Sequence, residues 1–327
     1  VAEAAAEGED DEDPAEALQK VRWADLCEHD SDSEVERGRG RAGGPGAAEE
    51  FRMPHHVPQK VVRALVPGVK KIVEKTLGGG AGDRVARFEE MYRWIERGEV
   101  YTEDTEEHGR RYAPGYIAGL APNMPFHDTQ GLPWCAELRR HWKQIRKELR
   151  QQLDADSGLW APGAYESSNQ TYGSKWRIIE LFTADAWADE AKWRTTLGVL
   201  KQLPGVRVFE AFFACMPPRT KIAPHSDNFN FVLTSHLALE LEAGSCSIRV
   251  GKHERPWVEG ETLAFDTSYI HSARNDSDRN RYVLVLRFWH PDLAEEERLA
   301  IHLSLNMLAA TKDAAKPQDL PKRPTWN

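Results

Sequence analysis

Nowhere does the chain hold an apolar run that approaches the length of a bilayer-crossing helix, so no membrane span is expected in this stretch. It starts at Val1 rather than Met, which leaves room for a targeting or anchoring segment upstream. Compartment is therefore open between cytoplasmic and lumenal. Cysteine is scarce: Cys27, Cys135, Cys215 and Cys246 are widely separated and form no CxxC pair. That argues against a zinc ribbon, a thioredoxin-type motif and a disulfide framework. A basic surplus is missing as well. The net charge is -9, but residues 1–50 carry 16 acidic and 5 basic side chains, against 36 acidic and 38 basic in the remainder. A body so close to neutral lacks the clustered Lys and Arg that counterion release requires, so nucleic acid is not expected as a partner.

What is present divides into four parts. Residues 1–52 read as an acidic disordered tail, the first 50 of them rich in Ala, Gly, Glu and Asp with Trp23 as the single aromatic. Residues 53–130 read as a helical region packed on the core. There Val61, Leu65, Val69, Ile72 and Val73 recur at helical spacing until Gly78-Gly79-Gly80. A second helix is expected over Asp83 to Arg97. Lysines on the first helix would allow contact with lipid, but its apolar stripe reads as a core face. Residues 131–312 read as the main domain, followed by a tail over 313–327. The main domain opens with a helix from Trp134 to Leu153, on which Leu138, Trp142, Ile145 and Leu149 share one side. Strands are expected at Trp176–Phe182, Val206–Cys215, Phe231–Leu241, Ser245–Val250, Thr262–Phe265, Ile270–Arg274 and Arg281–Trp289, and a closing helix at Leu293 to Leu308. Short strands with regular turn signals point to a mainly β sandwich or barrel with flanking helices.

The densest cluster of metal-ligating residues is Pro224-His225-Ser226-Asp227, then His236, then Phe265-Asp266-Thr267-Ser268-Tyr269-Ile270-His271. On an extended chain residues i and i+2 share a face, so His225 and Asp227 can offer an imidazole and a carboxylate to one point. His271 follows 44 residues after Asp227, where a folded-back barrel would deliver a third ligand. Two His and one carboxylate on one face of an octahedron leave three positions open, the arrangement of non-haem iron(II) oxygenases. Arg281 stands ten residues beyond His271, across the turn Asn275-Asp276-Ser277-Asp278, and in a hairpin would lie beside it. Its planar guanidinium suits the far carboxylate of 2-oxoglutarate. By position, Trp176, Arg177, Glu210, Asn228, Asn230 and Arg274 are candidates for the substrate pocket.

The string from His225 to Pro291 resembles the aspartyl/asparaginyl β-hydroxylase family of iron(II)/2-oxoglutarate oxygenases. The matching pieces are PHSD at Pro224–Asp227, SHLALELE at Ser235–Glu242, WVEGETLAFDTSYIHSARN at Trp257–Asn275 and RYVLVLRFWHP at Arg281–Pro291. The resemblance implies a double-stranded β-helix, a jelly roll of cupin type. It implies iron on His225 and His271, with Asp227 completing a facial triad where animal relatives have glycine. His236 matches a histidine near the C1 carboxylate of 2-oxoglutarate, and Arg281 matches the arginine on its C5 carboxylate. Thr234 falls at a family arginine two residues before that histidine, and is carried as a cosubstrate-side position. Val232 and Phe212 replace cationic residues, and Ala214 replaces a serine.

With those cations lost, the expected substrate is a small molecule or lipid, oxidised at an unactivated C–H bond with iron(II), 2-oxoglutarate and O2. The alternatives are an Asp/Asn-type hydroxylase of proteins or peptides, a non-catalytic jelly-roll binding protein, and a zinc or manganese cupin.

Overall fold

The computed structural model describes residues 59–162, 176–183 and 185–312. The acidic tail expected at 1–52 and the tail at 313–327 lie outside the described residues. Helices α1 (Gln59–Leu77), α2 (Ala86–Arg97), α3 (Pro133–Ala155), α4 (Arg194–Leu200) and α5 (Glu295–Lys312) accompany fourteen strands among the described residues. Strands β1 (Tyr101–Thr105) and β2 (Gly109–Ala113) form a hairpin, and β3 is Phe126–His127. Next come β4 (Ala161–Pro162), β5 (Arg177–Thr183) and β6 (Ala186–Trp187). The last eight are β7 (Val208–Met216), β8 (Thr220–His225), β9 (Val232–Glu240), β10 (Cys246–Val250), β11 (His253–Pro256), β12 (Thr262–Phe265), β13 (His271–Asn275) and β14 (Arg281–Trp289).

These eight strands switch between two antiparallel sheets. The larger runs β3-β12-β9-β14-β7-β5-β4, with β6 pairing β5, and the smaller runs β11-β10-β13-β8. One double strand folded back and forth across two sheets is a double-stranded β-helix, or jelly roll. Strand β14 shows how the sequence builds it. Tyr282, Leu284, Leu286 and Phe288 point outward into a core shared with α3, while Val283 and Val285 point inward into a separate core. Each buried Leu or Phe contributes about 1.5–3 kcal/mol, so alternation on this strand fixes its register.

Helix α3 covers the outer face of the large sheet with Trp134, Leu138, Ile145 and Leu149. It starts at Pro133, where a missing N–H costs nothing. The buried Glu148 accepts from Thr195 N (2.7 Å), Thr196 N (2.8 Å) and Thr196 Oγ1 (2.6 Å), satisfying first-turn amides of α4 that have no acceptor within the helix. A second core joins α1, α2 and α5 to Phe229, Phe231 and Val232. Among the described residues no helix is long and apolar enough to cross a membrane.

The region expected to be helical over 53–130 also contains the β1–β2 hairpin and β3. The hairpin reads YTEDT and GRRYA, and its outer strand alternates only between half-buried and exposed, so no apolar alternation marks it. Helix α2 begins at Ala86 rather than Asp83, because residues 81–83 form a 3-10 turn and Val85 is the N-cap.

Candidate metal centre

His225 is the last residue of β8 and His271 the first of β13, and their Cα atoms pair across the small sheet. Their imidazole centroids lie 4.1 Å apart. Asp227 follows on the loop, its N–H bonded to Thr267 O at 2.9 Å. Asp227 Oδ1 lies 3.8 Å from His225 Nε2 and 3.9 Å from His271 Nε2. The three ligand atoms all fall within 4.8 Å of one another, a spacing that one metal ion can bridge. Orientation is set by the backbone: His225 Nδ1 meets Ala223 O at 2.8 Å, and His271 Nδ1 meets Tyr269 O at 3.0 Å. A carbonyl oxygen only accepts, so each Nδ1 carries the proton and each Nε2 keeps its lone pair for a metal.

Burial alone would raise the Asp227 carboxyl, but Arg287 and then the two histidines outweigh it and bring the group down to about 2. It stays ionised and ready to coordinate. The loop 266–270 that delivers His271 is itself held from outside. Arg111 of β2, 3% exposed, donates to Asp266 Oδ2 (2.5 Å) and Ser268 Oγ (2.6 Å). Three tyrosine rings, Tyr101, Tyr116 and Tyr269, surround its guanidinium at 4.9–5.8 Å.

The cavity beside the triad lies inside the jelly roll. Arg281 reaches into it, 2% exposed, with its guanidinium 4.4 Å above the Trp257 ring. Its Nε and Nη1 have no hydrogen-bond partner among the described residues, and burial lowers it to about 10. A buried guanidinium with unmet donors is costly by itself and suits an incoming carboxylate. His236 stands next to it, its Nδ1 also without a partner and its ring edge-on to Phe265 at 4.9 Å. Burial, then the charge of Arg281, holds this imidazole well below its ordinary range, so it is neutral.

Of the other positions expected at the site, Thr234, Trp176 and Glu210 line the cavity, as do Phe212 and Ala214. The Thr234 hydroxyl is buried and has no partner among the described residues. Arg177, Asn228, Asn230 and Arg274 are not among the lining residues, and each has a physical reason to be elsewhere. Arg177 opens strand β5 one residue out of phase with the inward-facing Ile178 and Glu180. Asn230 spends its amide on the Ile117 backbone, accepting from N and donating to O at 2.8 Å each. Asn228 occupies a left-handed turn at φ 71°, its N–H bonded to Ser226 Oγ at 3.0 Å. Arg274 pairs with Glu254 and Asp276 on the outer side of the small sheet. Val232 packs into the helical core rather than the cavity.

Two residues at the site went unnoticed in the sequence. Arg287 lies on the inward face of β14 with Arg281, Val283 and Val285, so extending the period-2 reading three steps from Arg281 would have found it. Arg111 comes from a polar hairpin far upstream, and no local pattern signals it.

A family model described as aspartyl/asparaginyl beta-hydroxylase matches residues 139–291. The mouse aspartyl/asparaginyl beta-hydroxylase is 27% identical over 242 residues, covering 68% of this chain and 30% of its own length. The ornithine lipid ester-linked acyl 2-hydroxylase of Rhizobium tropici is 29% identical over 175 residues, 52% of this chain and 62% of its own. Mouse aspartate beta-hydroxylase domain-containing protein 2 is 35% identical over 190 residues, 55% of each chain. The chain thus spans less than two thirds of the length of these relatives. The matched segment contains the His225–Asp227–His271 cluster, Arg281 and strands β7 to β14, and over it this chain is similar to the aspartyl/asparaginyl β-hydroxylase family.

Proposed function

We propose that this protein is an iron(II)- and 2-oxoglutarate-dependent oxygenase that hydroxylates an unactivated C–H bond of a small-molecule or lipid-type substrate. The observation that carries the reading is Arg281, a buried guanidinium with two unmet donors in the same cavity as the triad. In a zinc or manganese cupin, or in a binding protein without a keto-acid cosubstrate, that arrangement has no task.

His225 Nε2, Asp227 Oδ1 and His271 Nε2 would hold the iron, and three protein donors leave room for cosubstrate and dioxygen. Iron held there together with 2-oxoglutarate would supply oxygen activation coupled to decarboxylation of the keto acid to succinate and carbon dioxide. The remaining work belongs to the chain. Arg281 would bind the far carboxylate through the N–H donors of its planar guanidinium, which fixes the direction of the cosubstrate. His236, kept neutral, and the Thr234 hydroxyl are the polar groups placed to meet its near end. Phe212, Val283 and Val285 line the wall and exclude water from the reacting atoms.

The substrate class follows from what the wall lacks. Among the described residues the only cationic side chains lining the cavity are Arg281 and Arg287. The first is committed to the cosubstrate, and the second is paired with Asp227 and Glu210. Among the described lining residues no cation is left to hold a substrate carboxylate, and Phe212 offers an apolar surface instead. The similarity to a relative named as an acyl 2-hydroxylase of a lipid agrees with this. The longer match to a relative named as an aspartyl/asparaginyl hydroxylase favours a peptide substrate as the second reading.

Incubation with iron(II), 2-oxoglutarate and either a lipid and metabolite extract or Asp/Asn peptides, read by mass spectrometry, separates them. Succinate should form in step with a product heavier by one oxygen in the lipid and metabolite arm. Hydroxylation of the peptides alone would replace this substrate assignment, and a wild-type protein that makes no succinate with any of these would sink the oxygenase reading.

A further inference from the structure

The two oxygens of Asp227 face different neighbours. Oδ1 looks toward the two imidazole Nε2 atoms at 3.8 and 3.9 Å, whereas Oδ2 accepts from Arg287 Nη2 at 3.3 Å. Arg287 is 9% exposed and sits in the middle of the large sheet, its Cα paired with Thr234 on β9 and Glu210 on β7. Its Nη1 donates to Glu210 Oε2 at 3.4 Å, and Glu210 also accepts from Thr183 Oγ1 at 3.4 Å. A single planar fork therefore ties the metal-facing carboxylate to a second, buried carboxylate on a neighbouring strand.

We propose that Arg287 is a positioning residue of the metal centre, holding Asp227 so that Oδ1 alone is presented to the metal while Oδ2 is kept off it. The inference rests on the metal reading of the triad and does not depend on which cosubstrate binds. The terminal torsion of an Asp side chain is soft, so an unheld carboxylate rotates freely and can offer both oxygens. A second Asp227 oxygen on the metal would occupy one of the positions that an oxygenase must keep open. Rigid β14 supplies Arg287 and Arg281 six residues apart on one inward face. The same strand thereby sets both the metal carboxylate and the anion site.

Outer partners that orient a metal ligand are typically worth about 10–100-fold in metal affinity. Charge alone predicts the opposite sign, because removing a cation from beside a divalent ion relieves repulsion and tightens binding. The two accounts are therefore separable by one titration.

Cobalt(II) serves as the probe, added without cosubstrate to the metal-free full chain and followed by calorimetry and visible absorption. Arg287→Met and Arg287→Lys are each placed on the wild-type and Asp227→Ala backgrounds. Arg287→Met should weaken cobalt binding by about 10–100-fold and alter the absorption spectrum. Arg287→Lys should weaken it too, since a point ammonium cannot span two carboxylates as the fork does. On the Asp227→Ala background neither substitution should change affinity by more than about twofold, because the interaction being tested is already gone. Unchanged or tighter binding in the Arg287 variants, or an equal loss with and without Asp227, overturns the proposal. If the Met variant fails to fold, the Lys pair carries the same comparison. A wild-type chain that binds no cobalt would instead strike at the metal reading itself.

Discussion

Arg281→Met should move stability and cosubstrate binding in opposite directions. Burial brings Arg281 well down from its usual range to about 10, a penalty of about 3 kcal/mol at roughly 1.4 kcal/mol per tenfold. The Trp257 ring 4.4 Å beneath it returns about 1–2 kcal/mol as a desolvated cation–π contact. The ligand-free protein therefore carries about 1–2 kcal/mol of unrelieved cost at this position. Met fills similar length without charge and keeps contact with the indole. Thermal unfolding of metal-free protein should show a Tm higher by about 2–8 °C in the variant, at about 2–4 °C per kcal/mol. Saturating iron(II) and 2-oxoglutarate, at 100 times Kd, should stabilise the wild type by about 2.7 kcal/mol, and 2-oxoglutarate should add nothing to metal alone in the variant. A variant with a lower Tm that still responds to 2-oxoglutarate would show Arg281 to be a structural residue and refute the reasoning.

The other predictions concern the supports of the site. The Asp227 carboxyl is depressed in the folded state to about 2, so its contribution is present above about pH 4 and fades as pH falls toward 2. In metal-free denaturant titrations the gap between wild type and Asp227→Asn should shrink by up to about 2 kcal/mol across that window, and a constant gap would contradict the assignment. Arg111→Met strands the buried Asp266 carboxylate and should cost about 3–5 kcal/mol by chemical denaturation, with part recovered by adding Asp266→Asn. Glu148→Ala leaves two amides at the start of α4 without acceptors and should cost about 2–4 kcal/mol, checked in the same assay.

The jelly roll was legible where one face of a strand meets a core. The reading of Thr262–Phe265 and Arg281–Trp289 reproduces β12 and β14; on β14 alternation is enforced by two distinct cores, and on β12 Leu263 and Phe265 face the inner one. The strands missed were those whose side chains carry no such pattern. In β8, Thr220–His225 is polar and contains Pro224, and all four residues of β11 are exposed. The helix α4 escaped because its first-turn amides are satisfied by Glu148, a residue 47 positions upstream of Thr195. At the centre, the HxD spacing and the distant His271 were readable because the chemistry demands those residue types. Asn228 and Asn230 looked equally eligible by proximity, yet the Asn230 amide is spent on the Ile117 backbone and Asn228 sits in a left-handed turn away from the cavity lining. What no local pattern announces is support from afar: Arg111 steadies the His271 loop from another sheet, and a contact across 155 residues leaves no periodic trace.

The central claim is that the triad and Arg281 form one site for iron and a keto acid. Its most direct test is an anaerobic titration of the iron(II)-loaded chain with 2-oxoglutarate, following the visible absorption of a ferrous–keto-acid chelate. Saturable absorption should develop in the wild type, be lost in His271→Ala, and require far more 2-oxoglutarate in Arg281→Met. No absorption in the iron-loaded wild type, or the same 2-oxoglutarate affinity with and without Arg281, would contradict it.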